Sequence, residues 1–139
     1  MSFLIQADVL VPGVASGKAL VLAESLSFWG GFDPADGRII DIHHPQHDQQ
    51  VTESILFVPQ SRGSAGTPGG IAETLRNGSG PLAFVLGERD VNIGIGVLVA
   101  NELYNLNIPV LQISRDEMDI VQSGERMSID VNGRISARG

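Results

Sequence analysis

The stretch SILFVPQSRGSAGTPGGIAETLRN, residues 54–77, joins an apolar run to a helix-like segment through a turn rich in glycine. The run at 54–59 has the length and composition of a buried strand, and the segment at 69–77 has the spacing of a helix. The chain then continues in the same alternation, through PLAFVLG at 81–87, NIGIGVLVANELYNL at 92–106 and IPVLQI at 108–113. This alternation predicts strands joined by helices, as in an α/β fold.

The segments on either side of this block favour strands. Three short runs that are apolar or alternating carry the prediction: FLIQADVLV at 3–11, KALVLAE at 18–24 and GRIIDI at 37–42. The intervening SLSFWGGFDPADG, 25–37, is predicted to be an irregular loop because it is rich in Gly, Asp and Pro. After residue 113 we expect a short helical turn and a pair of strands around Asn132-Gly133. We therefore predict one α/β domain over residues 1–139, with a barrel-like or strongly curled mixed sheet.

Composition excludes several classes of function. The chain has 9 basic against 16 acidic residues, with Lys18 as its single lysine and no basic run, so nucleic acid is not an expected ligand. It has no cysteine, which excludes a disulfide, a thiol nucleophile and an iron–sulfur cluster held by its own thiolates. No leader and no membrane-spanning run is recognisable, so a cytoplasmic protein without membrane contact is expected. Charged residues make up only 18%, which hints that a partner covers part of the surface.

The turn between the strand and the helix offers a candidate site. Ser64 follows Gly63 where the helix should start, so its hydroxyl would lie in the positive field of the helix N-terminus. Arg62 adds a guanidinium that can hold a carboxylate in bidentate fashion. The alternative is that Ser64 or Thr67 is only a helix N-cap and Arg62 a solvated side chain. The spacing leaves both interpretations open.

The three histidines lie within five residues, in DIHHPQHD. His43, His44 and His47 could bind a metal or shuttle protons. Pro45 breaks helical spacing, however, and no recognised metal-ligand pattern is present. A solvated or interface loop is the alternative, and no metal site is predicted on this chain.

The loop SFWGGFDP carries the single tryptophan and two of the five phenylalanines. Trp29, Phe28 and Phe32 either plug the edge of the core or contact a partner. Gly30 and Gly31 would let backbone approach a ligand closely.

Three segments taken in order resemble the small component of aconitase X: SFWGGFDPADGRIIDIHHPQH at 27–47, VPQSRGSAG at 58–66 and NIGIGVLVANELYNLNIPV at 92–110. Members of this family look like the swivel domain of aconitase and isopropylmalate isomerase, a β/β/α barrel-like domain that closes over a larger catalytic subunit. In some members the two parts are fused. The resemblance implies that this chain is the separate small subunit of a heteromer.

The resemblance also implies a chemistry. The family removes water from a β-hydroxy acid, and the serine of its Gly-Ser turn, which corresponds to Ser64, is the base. An iron or iron–sulfur cluster is expected on the large subunit, and this chain is expected to bind no cofactor. The expected substrate-binding residues are Arg62, Gly63, Gly30, Gly31, His44 and His47, and the expected interface residues are Trp29, Phe28 and Phe32.

Two substrates are implied by the resemblance. Bacterial members look like cis-3-hydroxy-L-proline dehydratases, which give 1-pyrroline-2-carboxylate, and archaeal members are similar to phosphomevalonate dehydratases. Arg62 is the only cation near the turn in the sequence, so we favour hydroxyproline over a phosphorylated substrate. Ala65 and Asp48 stand where relatives often have Ser and Gly. A phosphohistidine-type carrier domain that uses His43, His44 or His47 is the alternative from another class.

Overall fold

The computed structural model describes residues 2–28, 30–60 and 65–137. Within these residues the chain forms strands β1 (Phe3–Gln6), β2 (Asp8–Val11), β3 (Ala15–Val21), β4 (Phe32–Asp33), β5 (Arg38–Ile39), β6 (Ser54–Val58), β7 (Ala83–Leu86), β8 (Val110–Gln112), β9 (Arg126–Ile129) and β10 (Arg134–Ala137). The helices are α1 (Thr67–Arg76), α2 (Val91–Tyr104) and α3 (Arg115–Asp119). No helix in the described ranges has the length and apolar character that crossing a bilayer requires.

The alternating block forms the parallel centre of an eight-stranded mixed sheet, in the order β1-β10-β9-β3-β6-β7-β8-β2. β3, β6, β7 and β8 run parallel, with α1 connecting β6 to β7 and α2 connecting β7 to β8. β9, β10, β1 and β2 join the sheet through antiparallel pairs. The predicted alternation of strands and helices is confirmed.

The run 3–11 is two strands rather than one, and this break closes the sheet. β1 lies at one edge and β2 at the other, with Ala7 alone between them. Because one residue connects the two edges, the sheet must curl until they meet. The Ala7 N–H donates to the Gly133 carbonyl at 2.9 Å, which fixes the bend against the β9–β10 turn. The predicted barrel-like mixed sheet is thereby confirmed.

The central strands are buried on both faces, as expected for parallel strands covered by helices. On β6, Ile55 and Phe57 belong to a core cluster formed mainly by the sheet, whereas Leu56 and Val58 belong to a second cluster shared with the helices. The first cluster lies inside the curled sheet and includes several small residues, among them Ala19 and Ala83. Small side chains leave room for the sheet to close on itself.

Two predictions for the segment between β3 and β6 need correction. Of the predicted strand at 37–42 only Arg38–Ile39 is extended, and the predicted irregular loop contributes Phe32–Asp33, which pairs with it. Ile40 and Ile42 are exposed. The apolar run at 37–42 therefore predicts too long a strand, because Ile39 is the isoleucine of this run that is buried in the core.

Candidate functional site

The carboxyl ends of β3, β6, β7 and β8 lie together at one edge of the sheet, because these four strands are parallel neighbours. In α/β sheets this edge is where ligands usually bind. β6 ends at this edge, and residues 61–64 follow it in the chain before α1. Residues 61–64 lie outside the described residues, so the predicted roles of Arg62, Gly63 and Ser64 stay predictions.

The residues that follow 61–64 show where α1 begins. Gly66 holds the N-cap position of α1, with φ −82° and ψ −12°. Thr67 is the first residue of the helix and not its N-cap, whereas a capping role of Ser64 stays a prediction. The N-terminus of a helix carries a partial positive charge. The chain enters α1 directly from the turn that carries Ser64.

The loop that contains Gly30 and Gly31 packs on the first turn of α1. A Cβ atom on Gly70 would lie 2.1 Å from the Phe28 carbonyl oxygen, so the two backbones are in direct contact. Gly30 has φ +100°, and the Gly31 N–H donates to the Ser27 carbonyl at 3.2 Å. The structure thus brings this loop beside the helix that follows the Ser64 turn. The proposed approach of the glycines to a substrate stays a prediction.

Phe28 and Phe32 are core residues. They are 3% and 2% exposed, and their ring centroids lie 5.6 Å apart. Phe28 also meets Phe84 of β7 edge-on at 5.8 Å. The expectation that these two rings contact a partner is therefore wrong for the described chain, and they plug the edge of the core. Trp29 lies outside the described residues, and its interface role stays a prediction.

His44 is a structural histidine, only 4% exposed. Its Nδ1 accepts from the Gln46 backbone N–H at 3.0 Å, which leaves the proton on Nε2, and Nε2 donates to the Glu24 carbonyl at 3.3 Å. Both ring nitrogens are occupied, so the predicted substrate-binding role of His44 does not fit. The ring ties the histidine loop to the segment after β3.

The other two histidines are exposed. His47 Nε2 lies 3.6 Å from an Asp48 carboxylate oxygen, and its predicted role toward substrate stays a prediction. No group of three or more His, Cys, Asp or Glu side chains within the described ranges is arranged to hold a metal ion. The histidine-rich spacing therefore reflects a folded loop.

Sequence reasoning missed Arg115, the first residue of α3. It lines a cleft of about 280 Å³ at the same edge of the sheet, together with Ala23 and Pro59 from the ends of β3 and β6. The available signal was its position just after β8, because the carboxyl ends of parallel strands share one edge. Arg115 therefore adds a cation at this edge that the sequence analysis did not single out.

Among the described residues, the two groups with shifted pKa values, Glu73 and Arg76, lie near the C-terminus of α1. A hydrogen bond from Arg76 lowers the pKa of the Glu73 carboxyl, and the same contact raises the pKa of Arg76. The two side chains approach to 2.5 Å and are about half exposed. This pair stabilises the last turn of the helix and lies away from the turn at 61–64.

The family model of the aconitase X swivel domain matches residues 4–137. The chain belongs to the aconitase X swivel-domain family. A crystal structure of Thermococcus kodakaraensis aconitase X in its holo-form has the same fold, with a TM-score of 0.87 over 99% of both chains at 23% identity. The predicted swivel-type β/β/α fold is confirmed.

Two curated relatives of this aconitase X swivel domain have different names. The cis-3-hydroxy-L-proline dehydratase of Pseudomonas aeruginosa is 37% identical over 107 residues, which is 77% of this chain and 18% of that enzyme. The phosphomevalonate dehydratase small subunit of Methanothermobacter thermautotrophicus is 29% identical over 89% of this chain and 91% of that subunit. The chain thus spans about a fifth of the length of the hydroxyproline dehydratase and nearly all of the small subunit.

Proposed function

We propose that this chain is the small subunit of a hydro-lyase that converts cis-3-hydroxy-L-proline to 1-pyrroline-2-carboxylate, and that it is inactive without its large subunit. The 37% identity to the Pseudomonas aeruginosa cis-3-hydroxy-L-proline dehydratase, over 77% of this chain, carries the proposal. The chain order supports it, because the proposed base follows β6, which ends at the carboxyl edge of the parallel strands, and precedes α1.

In the proposed reaction Ser64 takes the proton from the α-carbon of the substrate. The electron pair of that C–H bond forms a C=C bond while the C–O bond at the β-carbon breaks, and the hydroxyl departs as water after protonation. The resulting enamine tautomerises to the cyclic imine. A serine is a weak base unless its alkoxide is stabilised. The partial positive charge at the N-terminus of α1, together with Arg62, is proposed to supply that stabilisation.

An iron or iron–sulfur cluster is proposed to belong to the large subunit, where it would act as Lewis acid on the departing hydroxyl. The donor set of this chain does not fit such a group. The sequence has no cysteine, and the described residues contain no cluster of His, Asp or Glu side chains that could hold a metal. We therefore assign only the base and substrate contacts to this chain.

The large subunit is the proposed partner, and the outer face of α2 supports such a partner. Val91, Ile95, Leu98 and Leu103 are between 46% and 66% exposed on this helix. A contiguous exposed apolar face is typical of a surface that another protein covers. Trp29 is proposed to contact the same subunit, so that the domain closes over the site and excludes water.

The two alternative functions are not equally supported. A phosphomevalonate dehydratase small subunit is the second candidate, because this chain matches 91% of the length of such a subunit from Methanothermobacter thermautotrophicus. A phosphohistidine carrier is not supported. His44 is buried with both ring nitrogens hydrogen-bonded, and the histidines lie in a loop between β5 and β6.

The experiment is to combine the purified chain with a large aconitase X subunit from the same genome and to assay both substrates. We expect loss of cis-3-hydroxy-L-proline and formation of the imine, followed by NMR, only when both chains are present. Turnover of 5-phosphomevalonate without turnover of hydroxyproline would establish the alternative. Turnover of neither substrate by a stable complex would contradict the proposal.

A further inference from the structure

Two clefts at the carboxyl edge offer room for a small molecule, and the one beside Arg115 has the end of β6 in its lining. Its volume is about 280 Å³, at the small end of the roughly 300–1,000 Å³ typical of ligand sites. The cleft is lined by Val21, Leu22, Ala23, Pro59, Arg115, Met118, Asp119 and Val121. Pro59 is followed by Gln60, which leads into the turn at 61–64. The cleft therefore includes Pro59, which precedes the proposed base by five residues in the chain.

The backbone that carries Arg115 is held firmly. Ser114 caps α3 through a capping box with Glu117, in which the two hydrogen bonds are both 3.0 Å. The Ile113 N–H donates to the Leu86 carbonyl at 2.9 Å and so joins this segment to the end of β7. Because these hydrogen bonds already order the backbone, ligand binding by Arg115 would cost little further backbone entropy.

The stem of Arg115 lies directly over the ends of β6 and β7. A Cβ atom on Gly87 would be 3.1 Å from Arg115 Cδ and 2.5 Å from the Pro59 carbonyl oxygen. Only a residue without a side chain lets the two strand ends and the arginine stem approach this closely. The arginine stem thus packs on Gly87, which also lies against Pro59 at the end of β6.

The charges lining the cleft are one guanidinium and one carboxylate. Arg115 and Asp119 lie one turn apart on α3, and both are exposed. The ion pairs of the described residues do not include one between these two side chains. Each charge is therefore available to an external group, and together they match a molecule that carries one positive and one negative charge.

We propose that this cleft binds the substrate as a zwitterionic amino acid, with Arg115 on its carboxylate and Asp119 on its ring ammonium. The inference rests on the proposed function and narrows its substrate class. Arg115 supplies the bidentate donor geometry that a carboxylate fits. A phosphorylated hydroxy acid would bring two anionic groups, a carboxylate and a phosphate with a charge of about −1.5 to −2, to a cleft whose lining has one cation, Arg115, and one anion, Asp119.

The test uses the assembled two-subunit enzyme with Arg115→Gln, Asp119→Asn and, as control, Arg126→Gln. Arg126 is an equally exposed arginine that lines a different cleft, near the start of β6. We expect Arg115→Gln to raise the KM for cis-3-hydroxy-L-proline by about 10- to 100-fold, as for the loss of a charge-assisted hydrogen bond. Arg126→Gln should leave KM within about twofold of wild type.

Inhibition by two substrate analogues tests the role of Asp119 separately from that of Arg115. L-proline and tetrahydrofuran-2-carboxylate share the carboxylate, but only L-proline carries the ring ammonium. The wild-type enzyme should bind L-proline at least about tenfold more tightly, and Asp119→Asn should abolish that preference. An unchanged KM in Arg115→Gln, or a preference that survives in Asp119→Asn, would overturn this inference while leaving the proposed function intact. An inactive wild-type complex would instead overturn the proposed function.

Discussion

Replacing Gly70 by alanine tests whether the loop at 28–31 is docked on α1. The new Cβ would lie 2.1 Å from the Phe28 carbonyl oxygen and 3.1 Å from its carbonyl carbon. Both are backbone atoms, so loop and helix must separate by about 1 Å, and such overpacking costs about 1–3 kcal/mol. Helix propensity favours alanine by about 1 kcal/mol and offsets part of this cost.

Gly69 provides the matched control, because a Cβ there would meet nothing within 4 Å. The gain in helix propensity is similar in both variants, so the difference between them isolates the contact with Phe28. We expect Gly69→Ala to be more stable than Gly70→Ala by about 1–3 kcal/mol in urea unfolding followed by circular dichroism. In the assembled enzyme only Gly70→Ala should lose turnover. Equal stability of the two variants would refute the docking of the loop.

Two further matched pairs test the helix packing and the histidine loop. A Cβ on Gly96 would lie 2.8 Å from Ile71 Cβ, whereas one on Gly94 would meet nothing within 4 Å. Gly96→Ala should therefore be less stable than Gly94→Ala by about 1–3 kcal/mol in thermal unfolding, and equal stabilities would contradict the α1–α2 contact. His44→Ala should cost about 1–3 kcal/mol because it leaves two backbone groups without partners, whereas His43→Ala should be near neutral. The assembled His44→Ala enzyme should keep its kcat within about threefold, and a loss above about 100-fold would assign the ring to proton transfer.

The parallel centre of the fold was predictable because its strands are apolar on both faces. Residues 55–58 and 83–86 are continuous apolar runs, and the helix between them, α1, begins beside Pro68 and ends near Gly78. The curled sheet also followed from the short strands at both ends of the chain. These features depend on local sequence, which is where pattern reasoning is strongest.

The break at Ala7 was not predictable, because FLIQADVLV has no glycine or proline to mark it. The chain bends there because β1 and β2 pair with strands at opposite edges of the sheet, which is a property of the closed sheet. For Trp29, Phe28 and Phe32 the sequence was equally compatible with a place in the core and a place at an interface. The packing in the structure assigns Phe28 and Phe32 to the core.

Part of the candidate site was also beyond sequence reasoning. The turn at 61–64 could be singled out from its residues alone, because it joins a strand to a helix through glycines. Arg115 is distant in sequence, and its position after β8 becomes informative only once the parallel pairing of β8 with β7 brings it to the same edge of the sheet. The structural role of His44 was also hidden, because its ring is buried and its hydrogen-bond partner, the Glu24 carbonyl, lies 20 residues away in the chain.

The most direct test of the account is the rate of Ser64→Ala in the assembled enzyme, with Ser16→Ala as control. Ser16 is an exposed serine on β3 whose hydroxyl meets only Ser128, at 3.3 Å, among the hydrogen bonds of the described residues. If Ser64 is the base, its removal should lower kcat for cis-3-hydroxy-L-proline by about 100-fold or more with little change in KM. Ser16→Ala should behave as wild type. A Ser64→Ala enzyme that kept wild-type turnover would contradict the central claim.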